Sequence, residues 1–365
     1  MNHSRILLPF LLLLTFIVNA FSQDAAYSIK EEELTFQSNE AVYSGTLSMP
    51  AEKGAYPAVI LLSGTGPQDR NWSFNSGTYK MAKKITEHLN KNGIAVYRFD
   101  DRGVGKSTGT PESETSFSDL AEDIVVAVNT LRKRDDIKQV GLLGHSLGGI
   151  LSVIVASEYK NVDFIISLAG SFRKGEDILR EQARTMKLWR TADNQTDEEV
   201  ISNGDRFADN LVKYFQTGQG LDSVKAILND LIKFQISSLP ENILEENLKH
   251  YKDSDEFHQK SVEGALKYYT SAHKKSYITY DASEDFSEVV CPVCVIFGAA
   301  DKHVTVESNK PPLIRALSEA KTKDFTLKII DDADHGFSAP ELIQKGEMQP
   351  EALNFISNWI SARIN

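Results

Sequence analysis

The stretch Gly144-His145-Ser146-Leu147-Gly148-Gly149 carries the clearest chemical signal in the chain, and it directly follows an apolar run. A Gly-x-Ser-x-Gly pattern between a strand and a helix forms a sharp turn that exposes a serine hydroxyl above the edge of a parallel sheet. Glycines fit here because a Cβ would clash within the strained backbone around the serine. The apolar residues that follow predict a helix whose N-terminal end favours a developing negative charge. Ser146 is therefore the candidate nucleophile.

A serine hydroxyl is a weak nucleophile until a base removes its proton, and a third group must orient that base. Among the eight histidines of the chain, His335 is the candidate base, because it lies in a loop directly after Phe325–Ile330, the last predicted strand. His303 is a weaker alternative, and His145 is expected to be structural because its side chain should leave the turn in another direction. Four more histidines are placed on helices without such a position: His88, His250, His258 and His273.

Asp301 is the candidate third member, since it follows a strand-like segment and lies between Ser146 and His335 in the chain. The order Ser, Asp, His is the one found where the nucleophile sits on a strand-to-helix turn. We expect the carboxylate to hold the imidazole in the correct tautomer and to stabilise the imidazolium. The alternative is that Asp301 only forms a turn after the strand. Asp334, beside the histidine, should face elsewhere.

The negative charge that develops on a reacting carbonyl oxygen needs backbone N–H donors. The residue after the nucleophile, Leu147, is expected to supply one of them. The second should come from the glycine-rich loop Ser63–Arg70, which follows the predicted strand Ala58–Leu62. Thr65 is the expected donor, with Gly64 as the alternative.

Strand and helix signals alternate along most of the chain. Continuously apolar runs such as Ala58–Leu62 are typical of parallel strands buried on both faces. The alternation predicts an α/β fold with a doubly wound, mostly parallel sheet. An antiparallel hairpin is predicted over about 28–49, and further strands over 58–62, 94–99, 140–143, 164–168, 291–297 and 325–330. The predicted core helices cover 79–92, 119–134, 150–156, 311–320 and 350–364.

From about 172 to 287 the pattern becomes almost wholly helical. Thr196-Asp197-Glu198-Glu199 has the form of a capping box that begins a helix. An insertion between two strands whose ends face the active site would cover the serine as a lid. The predicted organisation is a signal peptide at 1–22, the core at 23–171, a helical lid insertion at 172–287, and the rest of the core at 288–365.

The N-terminal residues have the features of an export signal. Arg5 precedes an apolar run from Ile6 to Val18, and the small residues Ala20 and Ser22 fit a cleavage site. The run is shorter than the roughly 20 residues of a membrane-spanning helix, so we expect a periplasmic or secreted protein without a membrane span after cleavage. An uncleaved N-terminal anchor is the alternative. The net charge of −11 argues against nucleic acid as a partner.

Cys291 and Cys294 form a Cys-x-x-Cys pattern, but the surrounding residues predict an extended strand. Residues three apart in a strand face opposite sides and are too far apart for a disulfide. Both thiols are therefore expected to be buried, unpaired and structural. Two sulfurs alone cannot form a zinc site either, and no metal or cofactor is expected.

Taken together, the motifs resemble the α/β-hydrolase superfamily over nearly all of the chain after residue 22. Within it the chain is similar to bacterial esterase D-type carboxylesterases, whose His-Gly-Ser-Gly-Pro-Gln-Asp-Arg-Asp-like loop is matched by Ser63–Asn71. The resemblance implies a serine ester hydrolase with a helical lid and no cofactor. The chain departs from it at Ser63, where the family usually has histidine, and at Thr65. Arg102 and Asp69 are expected to brace these loops, with a solvated ion pair as the alternative.

The sequence thus predicts an enzyme that cleaves small-molecule carboxylic esters through an acyl-enzyme on Ser146. The same catalytic groups would also serve a thioesterase, a proline-type aminopeptidase or an acyltransferase. A non-catalytic hydrolase-like binding protein is the alternative from another class. Acyl-chain preference and oligomeric state have no signal in the sequence.

Overall fold

The computed structural model describes residues 28–185 and 189–364. The predicted signal peptide, residues 1–22, lies outside the described residues. The strands are β1 (Ile29–Ser38), β2 (Ala41–Pro50), β3 (Tyr56–Leu62), β4 (Ser73–Phe74), β5 (Tyr79–Lys80), β6 (Ala95–Phe99), β7 (Ile137–His145), β8 (Ile165–Leu168), β9 (Val293–Gly298) and β10 (Phe325–Ile330).

Eight of these strands form one sheet in the order β1-β2-β6-β3-β7-β8-β9-β10. β1 and β2 make the predicted antiparallel hairpin, and β2 also pairs antiparallel with β6. All the other pairs in this sheet are parallel. The predicted α/β class with a mostly parallel sheet is therefore confirmed. The carboxyl ends of β3, β7, β9 and β10 lie at the same edge, which brings the loops after them together.

The helices are α1 (Met81–Lys91), α2 (Phe117–Arg132), α3 (Leu147–Glu158), α4 (Gly175–Thr185), α5 (Asp197–Thr217), α6 (Leu221–Ser237), α7 (Glu241–Leu248), α8 (Ser254–Tyr269), α9 (Ala272–Thr279), α10 (Ala282–Glu288), α11 (Val306–Glu319), α12 (Pro340–Ile343) and α13 (Pro350–Ser361). In the part of the chain that the structure describes, no helix is long and apolar enough to cross a membrane.

The sheet is covered by helices on both faces, and each face has its own apolar core. On one face α2 and α3 pack on side chains such as Ile60 and Leu142. On the other, α1 and α13 pack on side chains such as Val59 and Ile166. Because successive residues of a strand point to opposite faces, central strands must be apolar at every position. This requirement explains the continuous run in β3.

Helices α4–α10 lie between β8 and β9, as predicted for residues 172–287. Helices α4–α9 share an apolar core in which the Trp189 and Phe207 rings stack with centroids 4.1 Å apart. Helix α10 instead packs Ala282 and Phe286 into the core on one face of the sheet. The capping box at the start of α5 is confirmed, because the Thr196 side chain accepts from the Glu199 N–H and the Glu199 carboxylate accepts from the Thr196 N–H.

Several predicted boundaries are wrong by a few residues, and N-caps explain two of them. Helix α2 begins at Phe117, not Asp119, because the Ser116 side chain accepts from the Asp119 N–H. Helix α11 begins at Val306, well before Pro311, because Thr305 caps it by accepting from the Ser308 N–H. Both caps supply an acceptor to the first turn, whose N–H groups have no partner within the helix.

Two other boundaries differ from the predicted ones. Tyr79 was expected in α1 but belongs to the short strand β5, which pairs with β4. Cys291 was expected in a strand, but β9 begins only at Val293. Both cysteines are unpaired, as predicted. Cys294 is fully buried, whereas Cys291 is only half-buried, in contrast to the burial expected for both.

Candidate active site

The candidate nucleophile lies at the junction of β7 and α3. Ser146 has the unusual backbone angles φ 52° and ψ −113°, a strained conformation for a non-glycine residue. Its N–H donates to the Leu168 carbonyl oxygen on the neighbouring strand, at 2.8 Å. A Cβ added at Gly144 would lie 2.0 Å from the Gly148 carbonyl oxygen, and one at Gly148 would lie 2.2 Å from the Leu62 carbonyl oxygen. The predicted steric need for these two glycines is confirmed.

The structure brings His335 and Asp301 into direct contact. Nδ1 of His335 lies 2.8 Å from Oδ2 of Asp301, whose other oxygen accepts from the N–H groups of His303 and Val304. Burial raises the pKa of the Asp301 carboxyl, but the bond from His335 and the two backbone donors outweigh it and hold the pKa below its usual range. A carboxylate that accepts from Nδ1–H leaves Nε2 of the neutral ring free to take a proton.

Asp334 faces elsewhere, as expected. Its Oδ1 accepts from the N–H groups of Gly336 and Ser338, so it stabilises the loop that carries the histidine. His303, the weaker candidate base, lies beside the same site with its ring centroid 5.2 Å from that of His335.

His145 is buried behind the site, in agreement with the structural role predicted for it. Its Nε2 donates to the backbone carbonyl oxygen of His335 at 2.7 Å. Nδ1 is buried and has no hydrogen-bond partner among the described residues. Burial lowers the pKa of the His145 imidazole to about 4, and the charge of a protonated His335 lowers it further. His145 is therefore a neutral donor that links the nucleophile turn to the histidine loop.

Ser146 and His335 line one cavity of about 580 Å³. On the side of the sheet, the cavity is lined by Thr65, the expected oxyanion donor of the Ser63–Arg70 loop, and by Gly64, its alternative. Gly64 is very close to the nucleophile, since a Cβ there would lie 3.3 Å from the Ser146 Cβ. Leu147 is the first residue of α3, where backbone N–H groups have no partner within the helix.

The loop that follows β3 is held by Asp101, which sequence reasoning missed. One Asp101 oxygen accepts from the Ser63 hydroxyl at 2.6 Å and the other from the Gln68 N–H at 2.9 Å. The Asp101 N–H donates back to the Gln68 carbonyl oxygen. Burial raises the pKa of the Asp101 carboxyl to about 8, although these two bonds lower it. The Ser63 hydroxyl thus anchors the loop to Asp101.

Two other carboxyl groups contact the same loop. Asp100 accepts from the Arg70 guanidinium with both oxygens. Glu112 accepts from the Gly66 N–H at 3.0 Å, and its other oxygen lies 3.4 Å from Nε2 of His273. Burial raises the pKa of the Glu112 carboxyl to about 7, against the lowering effect of the Gly66 N–H.

His273 contributes to the site in a way that the sequence did not indicate. It lies on α9, as expected for a helical residue, but it lines the same cavity as Ser146. The sequence could not show this, because it depends on how the insertion packs on the core. Burial lowers the pKa of this histidine to about 4, and the charge of Lys274 acts in the same direction.

The two predicted brace residues have different roles. Asp69 caps its own turn by accepting from the N–H groups of Asn71 and Ser73. Arg102 is buried against Asp123 with a guanidinium–carboxylate distance of 2.7 Å, and it also pairs with the exposed carboxylate of Glu40. It also donates to the Tyr43 hydroxyl. Arg102 therefore holds β2, α2 and the loop after β6 together, while Asp101 supports the oxyanion loop.

Two solved structures share this arrangement of sheet and helices. An esterase of Pyrococcus furiosus superposes with a TM-score of 0.52 at 15% identity and covers 92% of both chains. The α/β-hydrolase GrgF of Penicillium superposes with a TM-score of 0.53 at 14% identity and covers 92% of this chain and 98% of its own. The present chain has the α/β-hydrolase fold. At such identities the likeness concerns the fold alone.

The sequence of this chain also matches known proteins. The family model described as "Serine aminopeptidase, S33" matches residues 75–203, a range that includes Ser146 but ends before Asp301 and His335. The esterase EstD of Thermotoga maritima is 26% identical over 91% of this chain and 68% of its own length. A monoglyceride lipase of Rattus norvegicus is 32% identical over only 20% of this chain and 25% of its own length. These matches support a serine ester hydrolase.

Proposed function

We propose that this hydrolase cleaves carboxylic esters through an acyl-enzyme formed on Ser146, with His335 as the base and Asp301 as its partner. The observation that carries the proposal is the 2.8 Å contact between Nδ1 of His335 and Oδ2 of Asp301, at a cavity that Ser146 also lines. A binding protein without catalysis would not require a carboxylate on the far side of the histidine.

In the proposed reaction, His335 takes the hydroxyl proton as the Ser146 oxygen attacks the ester carbonyl carbon. The N–H groups of Leu147 and Thr65, or of Gly64 in its place, stabilise the oxyanion. The protonated His335 then donates to the leaving alcohol, and the acyl group remains on Ser146. A water molecule, deprotonated by His335, releases the carboxylic acid and restores the serine. Asp301 stays ionised throughout, in keeping with its lowered pKa.

The helical segment is proposed to act as a lid over this reaction. Side chains from three of its helices line the cavity, including Leu179 on α4, Tyr269 on α8 and Ile278 on α9. Apolar and aromatic groups in these positions would exclude water and shape the substrate pocket.

An aminopeptidase is the second candidate because of the family model that matches the middle of the chain. Such an enzyme must bind the ammonium group of a free N-terminus, and a carboxylate is the usual partner for an ammonium ion. The described residues that line the cavity include Lys274 and no aspartate or glutamate. This charge distribution favours ester over aminopeptide substrates. A thioesterase or acyltransferase would use the same groups, so the choice of substrate decides among them.

Export to the periplasm or medium remains a proposal that rests on the N-terminal sequence alone. N-terminal sequencing of the protein recovered after expression in a bacterial host tests it. A start at Gln23 would support cleavage after Ser22, whereas an intact Met1 in the cytosol would contradict it.

The direct test of the proposed function compares the wild type with Ser146→Ala on para-nitrophenyl acyl esters. The variant should lose at least about 10³-fold in kcat, because the nucleophile is removed while the oxyanion donors remain. An unchanged circular dichroism spectrum is the control for folding. Equal rates for the two proteins would show that Ser146 is not the nucleophile. Thioesters and aminoacyl amides in the same panel separate the three hydrolytic alternatives, and added acceptor alcohols test for acyl transfer.

A further inference from the structure

The cavity has an unusual charge for so acidic a protein. The chain has 51 acidic and 40 basic residues. Yet the described side chains that line the cavity include one permanent cation, Lys274, together with histidines and tyrosines, and no carboxylate. In an otherwise acidic surface, such a site attracts anions and repels cations.

Lys274 is held at this cavity by aromatic rings. Its Nζ lies 4.6 Å from the centroid of the Tyr268 ring and 5.8 Å from that of Tyr277, both of which also line the cavity. Cation–π contacts of this kind position an ammonium group without neutralising it. Within the described part of the chain, no carboxylate lies within ion-pair distance of Lys274. Its three N–H donors are therefore available to a ligand.

Burial raises the pKa of the Glu112 carboxyl and the charge of Lys274 lowers it, but the two groups do not form an ion pair. Glu112 instead contacts His273 and the Gly66 N–H. It lines a separate, smaller cavity behind the oxyanion loop, together with Asp101 and Asp123. No described carboxylate that lines the substrate cavity pairs with Lys274, so this place is open to an anionic group of the substrate.

We infer that this hydrolase prefers esters that carry a second, negatively charged group such as a carboxylate, and that Lys274 binds this group. Tyrosine rings pack against the part of the substrate that connects the charged group to the ester. The inference rests on the proposed esterase function and names its substrate class. A charge-assisted hydrogen bond to Lys274 is the interaction that would distinguish an anionic ester from its neutral analogue.

The test measures kcat/KM for two matched pairs of esters. Mono-para-nitrophenyl adipate and its methyl ester place the charge on the acyl side, and para-acetoxybenzoate and its methyl ester place it on the alcohol side. In Lys274→Met the ratio of anionic to neutral kcat/KM should fall about tenfold for at least one pair, the size of one charge-assisted hydrogen bond. Lys274→Arg keeps the charge and should keep most of the preference.

The matched control is Lys53→Met, which removes the same charge from an exposed turn before β3, at the opposite end of the sheet from the site. This variant should leave both ratios unchanged. In the wild type the preference should also shrink as the ionic strength rises from about 0.01 M to about 1 M, because salt screens a partly exposed pair. That measurement needs no variant to fold.

Ratios that are the same in wild type and Lys274→Met for both pairs would overturn the inference, as would ratios that do not respond to salt. Calorimetric binding of the same esters to Ser146→Ala makes the comparison without turnover. An unaltered esterase rate in Ser146→Ala contradicts the proposed nucleophile, whereas equal binding of charged and neutral esters contradicts only the role of Lys274. The two failures are therefore distinguishable.

Discussion

The Nε2 atom of His145 donates a hydrogen bond of 2.7 Å to the backbone carbonyl oxygen of His335. One histidine thus fixes the main chain of the other. Since His145 directly precedes Ser146, the contact ties the nucleophile turn to the loop that carries the candidate base. The arrangement requires a neutral ring, because a second proton on the buried, unpartnered Nδ1 would create a buried charge.

The first prediction concerns the effect of acid on stability. The pKa of His145 is about 4 in the folded protein and about 6.5 in the unfolded chain, so the unfolded chain binds a proton first as the pH falls. Stability should therefore be lost between pH 6.5 and 4, by up to about 3 kcal/mol from this group. Urea unfolding of wild type and His145→Gln at several pH values measures it. Comparing each protein with itself at neutral pH removes the pH-independent cost of the substitution, and equal pH dependence in both would contradict the assignment.

The second prediction concerns Asp301, the proposed partner of His335. Asp301→Asn should lower kcat about 10²- to 10⁴-fold, because an amide in this position can hold the His335 ring in the wrong tautomer. Steady-state kinetics on a para-nitrophenyl ester measure the loss. Asp331→Asn makes the same change on an exposed residue at the start of the histidine loop and should leave kcat close to that of the wild type. A large loss in Asp331→Asn with none in Asp301→Asn would reverse the assignment.

The third prediction concerns the support of the oxyanion loop. Ser63→Ala removes the 2.6 Å bond to Asp101 and should lower kcat about tenfold with little change in KM, because the loop supplies a donor that matters most in the transition state. Ser73→Ala is the control, since that hydroxyl bonds only to Asp69 on the exposed side of the same segment. A rise in KM at constant kcat would instead mean that Ser63 contributes to substrate binding.

The fourth prediction compares two glycines. Gly148→Ala places a Cβ 2.2 Å from the Leu62 carbonyl oxygen and should destabilise the protein by about 2 kcal/mol or more, because the backbone on both sides is packed. Gly264 lies in α8 with no atom within 4 Å of an added Cβ. Gly264→Ala should stabilise the protein by up to about 1 kcal/mol through helix propensity. Thermal unfolding distinguishes the two outcomes, and equal shifts in the two variants would contradict the steric argument.

Much of the fold could be predicted because central strands such as β3 contain continuous apolar runs, and this pattern is local. The strand β10 has the bounds that its sequence predicts. Boundaries failed where a single hydrogen bond decides them, as at Ser116 and Thr305. At each of these two positions a Ser or Thr side chain accepts from the N–H group three residues later. The sequence alone does not show which Ser and Thr side chains make such a bond.

The candidate site was predictable wherever chain order and loop position determine it, as for Ser146, Asp301 and His335. Residues that support the site through tertiary packing were not. Asp101 is adjacent to two other charged residues in the sequence, and nothing local shows that its side chain points at Ser63. His273 and Lys274 reach the cavity only because α9 packs against the core, which depends on contacts far apart in the chain.

Glu112 joins three distant segments: it accepts from Gly66, contacts His273 and begins the short turn before α2. Deleting residues 172–287 would therefore have an effect beyond opening the cavity to solvent. The deletion would remove the His273 imidazole and expose the Glu112 carboxylate to bulk solvent. The hydrogen bond that this carboxylate accepts from the Gly66 N–H would then be weaker. The helical segment and the Ser63–Arg70 loop are linked through Glu112, so removing the segment would disturb that loop as well.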